Sequence, residues 1–316
     1  MDDFLIILAF FGVFVISTSF IYSKLVIAQI NNPIHMVFLQ ITINFILLLI
    51  IFIPSLLLFS EELSQNLTIS NIFVIFCSAM AIFAALVSFY IGLEKGNVTI
   101  GGMIISSRVI VSTLLAWLFF SENIPLISYL FILIVFGSVL LVSWEEGLPI
   151  KEILLFKSSG ASWYLLSVLF FSTGNVFIRL LNNQVNILTQ LVLRLTFLLF
   201  AIILFYPMLN QRIGDKRPLK ATISNPKLLI QALIFVFLIL IADFSMTIAI
   251  GESLTIAETI GALEGIFIFI MMLFVLQNKN LRTVFQEPFD RKTIAIRSLG
   301  VIFATLGILG FIFTLN

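Results

Sequence analysis

The sequence is poor in charge and has a single cysteine, and each shortage excludes a class of protein. Only 10% of its 316 residues are charged, too few to cover the surface of a soluble protein of this length. Cys77 is the one cysteine, so an internal disulfide is excluded. The formal net charge is +1 and no long Lys/Arg run occurs, which argues against nucleic-acid binding.

Motifs of enzyme chemistry are missing as well. The sequence contains no Gly-rich phosphate loop, no HExxH pair, no GxSxG elbow and no cluster of His and Cys residues. We therefore expect no catalytic residues, no cofactor and no metal site, and we predict that the protein is not an enzyme. We also expect that any pumping depends on an ion gradient, on exchange or on the gradient of the substrate itself.

Apolar residues make up 61% of the sequence, and the mean hydropathy is +1.20. These values predict an all-α integral membrane protein in a lipid bilayer. Ten apolar segments are each long enough to cross ~30 Å of hydrocarbon. The predicted spans are Phe4–Tyr22, Ile34–Phe59, Ser70–Gly92, Val98–Phe120, Leu126–Trp144, Ser162–Leu181, Ile187–Leu209, Leu228–Ile250, Leu254–Leu276 and Ile294–Leu315.

The second half of the sequence repeats features of the first. Leu93–Gly101 aligns with Ala249–Ala257, and the same alignment places Arg108 opposite Glu264. Two halves of five spans each must enter the membrane from opposite sides, which predicts an inverted repeat with a pseudo-two-fold axis in the membrane plane. The predicted domains are a first five-helix repeat at 1–145, a linker at 146–161 and a second five-helix repeat at 162–316.

Several further features occur once in each half and in the same order. A basic residue closes the first span of each half (Lys24 and Arg179), and the sequences LEKGNVTIGG and AIGESLTIAE precede the fourth and ninth spans. The second span of each half opens with N-P…L-Q or N…L-R, and late glycines follow at Gly137 and at Gly300 and Gly307. With these motifs, each half resembles an EamA domain of the drug/metabolite transporter (DMT) superfamily.

The resemblance implies ten helices, a central cavity, alternating access and substrates among small metabolites such as amino acids. Gln40 departs from the family pattern, which commonly has Arg there, and so do the charges of Arg108 and Glu264, where the pattern is mostly apolar or small. The family's usual topology has cytoplasmic termini. The positive-inside rule predicts the opposite, because 14 of the 17 Lys and Arg residues lie in or near the loops after odd-numbered spans. Orientation therefore stays open.

Charged residues inside predicted spans are the strongest indication of function, because an ionised residue at membrane depth costs ~2.5–3.5 kcal/mol on insertion scales. Arg108 and Glu264 are expected to meet near the two-fold axis. They form either a structural ion pair or a site in which Arg108 receives a substrate carboxylate and Glu264 an amino group or a proton. Glu258, only one turn inside the ninth span, either lines the cavity or lies at a solvated helix start.

Asp243 has no basic neighbour one turn away. We predict either a proton-coupling or substrate-contacting residue, because burial disfavours its charged form, or a bridge to Arg179 or Arg194. Arg194, Gln40 and the span-closing basic residues could also extend to the lipid headgroups. Other polar residues in or near spans either line the cavity or bond a neighbouring helix: Tyr90, Asn175, Ser17, Ser19, Asn44 and Gln190. The candidate substrate-binding residues are Arg108, Glu264, Asp243, Arg194, Glu258, Tyr90, Asn175 and Gln40.

These features predict a secondary active transporter in the inner (cell) membrane, as a monomer or homodimer. Its partner would be a small polar metabolite, an amino acid or similar, carried by alternating access with proton coupling, by exchange or by facilitated diffusion. A lipid or lipid-headgroup flippase is the nearest alternative, since the same fold could serve. A membrane-embedded enzyme would need a nucleophile or metal cluster at the interface, and a channel would need a polar ring around a pore.

Overall fold

A computed structural model describes residues 3–58, 67–121, 125–142, 144, 160–181, 184–213, 219–285 and 290–315. Within these ranges, all regular secondary structure is helical, as the composition predicts. The helices are α1 (Asp3–Ile30), α2 (Pro33–Leu58), α3 (Ile69–Lys95), α4 (Val98–Ser106), α5 (Arg108–Phe120), α6 (Leu126–Val142), α7 (Ala161–Leu180), α8 (Ile187–Arg212), α9 (Leu219–Ile223), α10 (Pro226–Glu252), α11 (Leu254–Gly261), α12 (Glu264–Val275), α13 (Lys279–Phe285) and α14 (Arg291–Leu315).

In the part of the chain that the structure describes, nine helical spans are long and apolar enough to cross a membrane. Nine of the ten predicted spans meet that measure, and the remaining one is a shorter apolar helix. The predicted fifth span is α6, a helix of 17 residues, which is ~25 Å long at ~1.5 Å per residue. Most of the predicted linker, residues 146–159, lies outside the described residues.

Two predicted spans are each interrupted by a tight turn. The fourth span breaks at Ser107, between α4 and α5, and the ninth at Ala262 and Leu263, between α11 and α12. The amides of Ser107 and Leu263 each donate to the carbonyl three residues earlier, at 3.0 Å in both cases, which is the tighter 3₁₀ pattern. Ser107 and Leu263 are also opposite each other in the alignment of the two halves.

The basic residues near the end of the first span of each half bond the end of another helix. The Lys24 ammonium donates to the carbonyls of Leu93, at 2.5 Å, and Gly96, at 3.0 Å, where α3 ends. The Arg179 guanidinium donates to the carbonyl of Gly251, near the end of α10. The last carbonyls of a helix lack intrahelical donors and attract cations. The expectation that these two side chains extend to the headgroups was wrong for this reason.

The helices α4 and α12 approach each other closely at Gly265. Its amide donates to the Ser106 hydroxyl at 2.8 Å. A Cβ atom added at Gly265 would lie 2.5 Å from that hydroxyl oxygen and 2.9 Å from the carbonyl oxygen of Gly102. The absence of a side chain at Gly265 therefore allows α4 to pack against the backbone of α12.

We expect Gly265→Ala to lower the free energy of unfolding by about 1–3 kcal/mol, because the added methyl group forces the two helices apart. The thermal unfolding of the purified protein in detergent measures this loss. Gly137→Ala in α6 is the matched control, since a Cβ there meets nothing within 4 Å. That substitution should be neutral or stabilise by up to ~1 kcal/mol, through higher helix propensity. Equal unfolding temperatures for both variants would contradict the close approach.

Candidate functional site

A cavity with a volume of about 130 Å³ lies between the first and second halves of the chain. This volume is many times the ~10–15 Å³ that one water molecule requires on the same measure. The cavity is lined by residues of α1, α2, α3, α4 and α5 from the first half and of α7, α8, α10 and α12 from the second half. In terms of predicted spans, it is bounded by spans one to four and six to nine.

The cavity wall is largely apolar. Four phenylalanines line it, at positions 20, 89, 171 and 235, among several leucines and isoleucines. The Phe20 and Phe89 rings meet edge to face, with their centroids 4.8 Å apart. Sequence reasoning missed these aromatic residues, because the chain has 35 phenylalanines and many of them lie at exposed, membrane-facing positions.

The structure brings the predicted polar residues together around this cavity, with one exception. Glu258 lies behind the wall, bonded to lining residues, and its side chain is fully buried. The predicted site residues that line the cavity are Gln40, Tyr90, Arg108, Asn175, Arg194, Asp243 and Glu264.

Arg108 pairs with Glu258 and not with Glu264. Its Nε donates to Glu258 Oε2 at 2.6 Å, and Asn175 Nδ2 donates to Glu258 Oε1. Two predictions were therefore wrong: that Arg108 meets Glu264, and that Glu258 could lie at a solvated helix start. Alignment of the halves indicates which backbone positions correspond, but not which of two nearby acids a long side chain reaches. Arg108 pairs with Glu258 because both carboxylate oxygens of Glu258 then accept a hydrogen bond.

Glu264 is buried, with 2% of its surface exposed. Its Oε2 atom has no hydrogen-bond partner among the described residues. The polar backbone around it is already engaged, since the Glu264 carbonyl accepts from the Ser17 hydroxyl at 3.3 Å and the Gly265 amide donates to Ser106. The Glu264 side chain is thus a buried acid at the cavity wall, and one of its oxygens has no direct partner in the part of the chain that the structure describes.

Arg194 of α8 and Asp243 of α10 carry opposite charges at the cavity wall. Arg194 is buried and Asp243 is half-buried. They are close enough to attract each other, yet neither makes a hydrogen bond or an ion pair within 4.0 Å in the described ranges. The expectation that Arg194 extends to the headgroups was wrong, and so was a bridge from Asp243 to Arg179, which bonds Gly251.

Gln40 and Tyr90 form a bonded pair at another part of the wall. The Tyr90 hydroxyl donates to Gln40 Oε1 at 2.5 Å, and both residues are buried, so the prediction that Gln40 extends to the headgroups was wrong. Nearby, the Oδ1 atom of Asn44 is buried without a hydrogen-bond partner in the described structure.

The remaining polar residues of the spans divide between the two roles expected for them. Ser19 and Asn44 line the cavity. Ser17 and Gln190 bond backbone carbonyls instead. Ser23 and Thr247 also line the cavity. They could not be selected from the sequence, because isolated hydroxyl residues are common in membrane helices. Among the described residues, no group of three or more His, Cys, Asp or Glu residues could hold a metal ion.

Comparison with known proteins identifies the first half of the chain. Residues 3–144 match the model of the EamA-like transporter family, whereas no curated protein matches the chain. Among solved structures, 23 chains match. One crystal structure is 13% identical with a TM-score of 0.62, covering 98% of this chain and 96% of its own; at that identity the likeness shows the fold alone. Residues 3–144 are therefore similar to the EamA-like transporter family, and the apolar spans of the described residues make the chain an integral, multi-pass membrane protein.

Proposed function

We propose that the protein is a secondary carrier that moves a small zwitterionic metabolite, an amino acid or a similar molecule, across the inner (cell) membrane. The observation that supports this best is the unbonded pair of opposite charges, Arg194 and Asp243, at a cavity between the two halves. Charged residues at membrane depth are costly and mark the paths of polar solutes. If Arg194 and Asp243 served only to stabilise the fold, their side chains would be expected to form a direct salt bridge.

The cavity offers complementary groups for each part of an amino acid. A planar guanidinium binds a carboxylate through two parallel hydrogen bonds, which suits Arg194. The carboxylate of Asp243 suits the ammonium group. The surrounding phenylalanines suit an apolar side chain, and Gln40, Tyr90, Asn44 and Asn175 supply hydrogen-bonding groups for polar ones.

Alternating access requires two halves that can rock about a central site, and an inverted repeat provides them. Two structural features support this arrangement. Each half contains one broken span with a charged residue directly after the break, Arg108 or Glu264. Each half also contains one basic side chain bonded to a helix end, from Lys24 or Arg179. We therefore assign the two halves as inverted five-helix repeats, with the substrate bound between them.

The function is tested with purified protein in two steps. A thermal-unfolding screen over amino acids and related metabolites should find ligands that stabilise the protein by about 2.7 kcal/mol when present at ~100 times their Kd. The same compounds, radiolabelled, should then equilibrate across vesicles that contain the protein and not across empty vesicles. In a second experiment, vesicles with fluorescent lipids measure whether the protein moves lipid between the leaflets. Movement of lipid between leaflets without any metabolite flux would contradict the proposal and favour a flippase.

A further inference from the structure

The charges at the cavity do not balance if every group is ionised. Two guanidiniums and three carboxylates either line the cavity or bond a lining residue, which leaves one negative charge in excess. An uncompensated charge away from water costs several kcal/mol. A single positive charge, from a proton or from a cation in the cavity, removes the excess. The five groups are Arg108, Arg194, Asp243, Glu258 and Glu264.

The geometry distinguishes the three carboxylates. Glu258 accepts hydrogen bonds on both oxygens, from Arg108 and Asn175. Asp243 is half-buried and is attracted by Arg194 and Arg108. Glu264 is almost completely buried, and one of its oxygens has no hydrogen-bond partner within the described ranges. A buried carboxylate oxygen without a donor is costly when charged and much less so in the neutral acid.

The groups facing Glu264 add to this difference. Arg108 of α5 and Glu258 of α11 act on it electrostatically, but the Arg108 Nε already donates to Glu258. Helix α4, which packs against α12, contains no titratable residue. In α1 the nearest polar group is the Ser17 hydroxyl, which bonds the Glu264 backbone, and in α14 the basic residues lie within its first two turns.

We propose that Glu264 is the proton-binding site of the carrier and that one proton moves with each substrate molecule. This inference rests on the proposed function. With the proton on Glu264 the five groups sum to zero charge, so a zwitterion enters without creating an imbalance. When the O–H bond of Glu264 breaks, the proton passes to water in the cavity and the excess negative charge returns.

The infrared spectrum of the purified protein tests the protonation directly and needs no substrate. On acidification to no lower than ~pH 6, where exposed Asp and Glu side chains stay ionised, the C=O stretch of a neutral carboxylic acid should appear in the wild-type protein and in Asp243→Asn. It should be missing in Glu264→Gln over the same pH range. If Glu264→Gln does not fold, Glu264→Asp should fold and shift this band in frequency. A band that persists unchanged in Glu264→Gln, or no titrating band in the wild type, would overturn the proposal.

Transport supplies the second readout once a substrate is known. Uptake into vesicles should rise as the external pH falls, with a slope of up to ~10-fold per pH unit above the titration midpoint. In Glu264→Gln this pH dependence should be lost, while exchange of labelled for unlabelled substrate continues. Methylammonium is the test for a cationic substrate. If the vesicles take up methylammonium and the wild-type protein shows no titrating carboxylic-acid band, a cationic substrate supplies the missing positive charge and Glu264 is not a proton-binding site. If no solute moves at all, the proposed transport function is wrong, and the infrared result still decides whether Glu264 binds a proton.

Discussion

Glu258→Leu is expected to lower the free energy of unfolding by about 3–5 kcal/mol, because it leaves the buried Arg108 without its partner. The fully buried Glu258 carboxylate accepts from both Arg108 and Asn175, so its removal leaves two donors unpaired at once. Thermal and denaturant unfolding in detergent measure the loss. Glu252→Gln is the matched control, since this acid is exposed at the end of α10 and its replacement should change stability by less than ~0.5 kcal/mol.

A double variant separates the ion pair from general packing. Arg108→Met combined with Glu258→Leu removes both charges, and buried ion pairs can often be replaced by apolar residues with little net loss. We expect the double variant to regain most of the lost stability, with ~1–3 kcal/mol still missing because the Asn175 amide is unpaired. If the double variant is less stable than Glu258→Leu alone, the destabilisation does not come from the unpaired Arg108.

Arg194→Leu is expected to weaken substrate binding by roughly 30- to 1,000-fold, corresponding to about 2–4 kcal/mol for the loss of a buried charge-assisted contact. Because Arg194 makes no direct bond in the described structure but offsets the charge of Asp243, the variant should lose less stability than Glu258→Leu. Vesicle uptake and ligand-dependent thermal stabilisation measure the effect. The substrate affinity of Arg194→Lys should lie between those of the wild type and Arg194→Leu, since an ammonium keeps the charge but not the planar pair of donors.

Thr196→Val is the matched control for this prediction. Thr196 lies on the exposed face of α8, two residues from Arg194, and its hydroxyl bonds only the carbonyl of Val192. Uptake by this variant should equal that of the wild type. Substrate binding that survives Arg194→Leu unchanged would exclude Arg194 from the binding site.

The membrane class and most span positions followed from the sequence because apolar segments of membrane length allow few other structures. The breaks at Ser107 and Leu263 could not be predicted in the same way. The turn at Ser107 contains no proline or glycine, and the turn at Leu263 contains only Gly261, a single glycine of the kind that apolar helices tolerate. A 3₁₀ turn also preserves the apolar pattern on both sides. The first span was also predicted to end at Tyr22, whereas α1 continues to Ile30, because the polar Lys24 is satisfied by carbonyls of another helix.

The candidate site was predictable in its residue types but not in its pairings. Charges in apolar spans had to face protein or a cavity, and seven of the eight selected residues line one. The partner of Arg108 depended on side-chain direction, which the alignment of the halves does not contain. The sequence did not indicate the apolar wall either, since Phe20 in the wall and Phe10 on the exposed face are the same residue type in one apolar helix.

The two basic side chains that bond helix ends have a mechanical consequence. Lys24 joins α1 to α3, and Arg179 joins α7 to α10, so each bond stays within its own half and neither ties one half to the other. A tilt of the halves against each other leaves both bonds intact. In the proposed transport cycle, neither cation would therefore have to lose its carbonyl partners when the halves move.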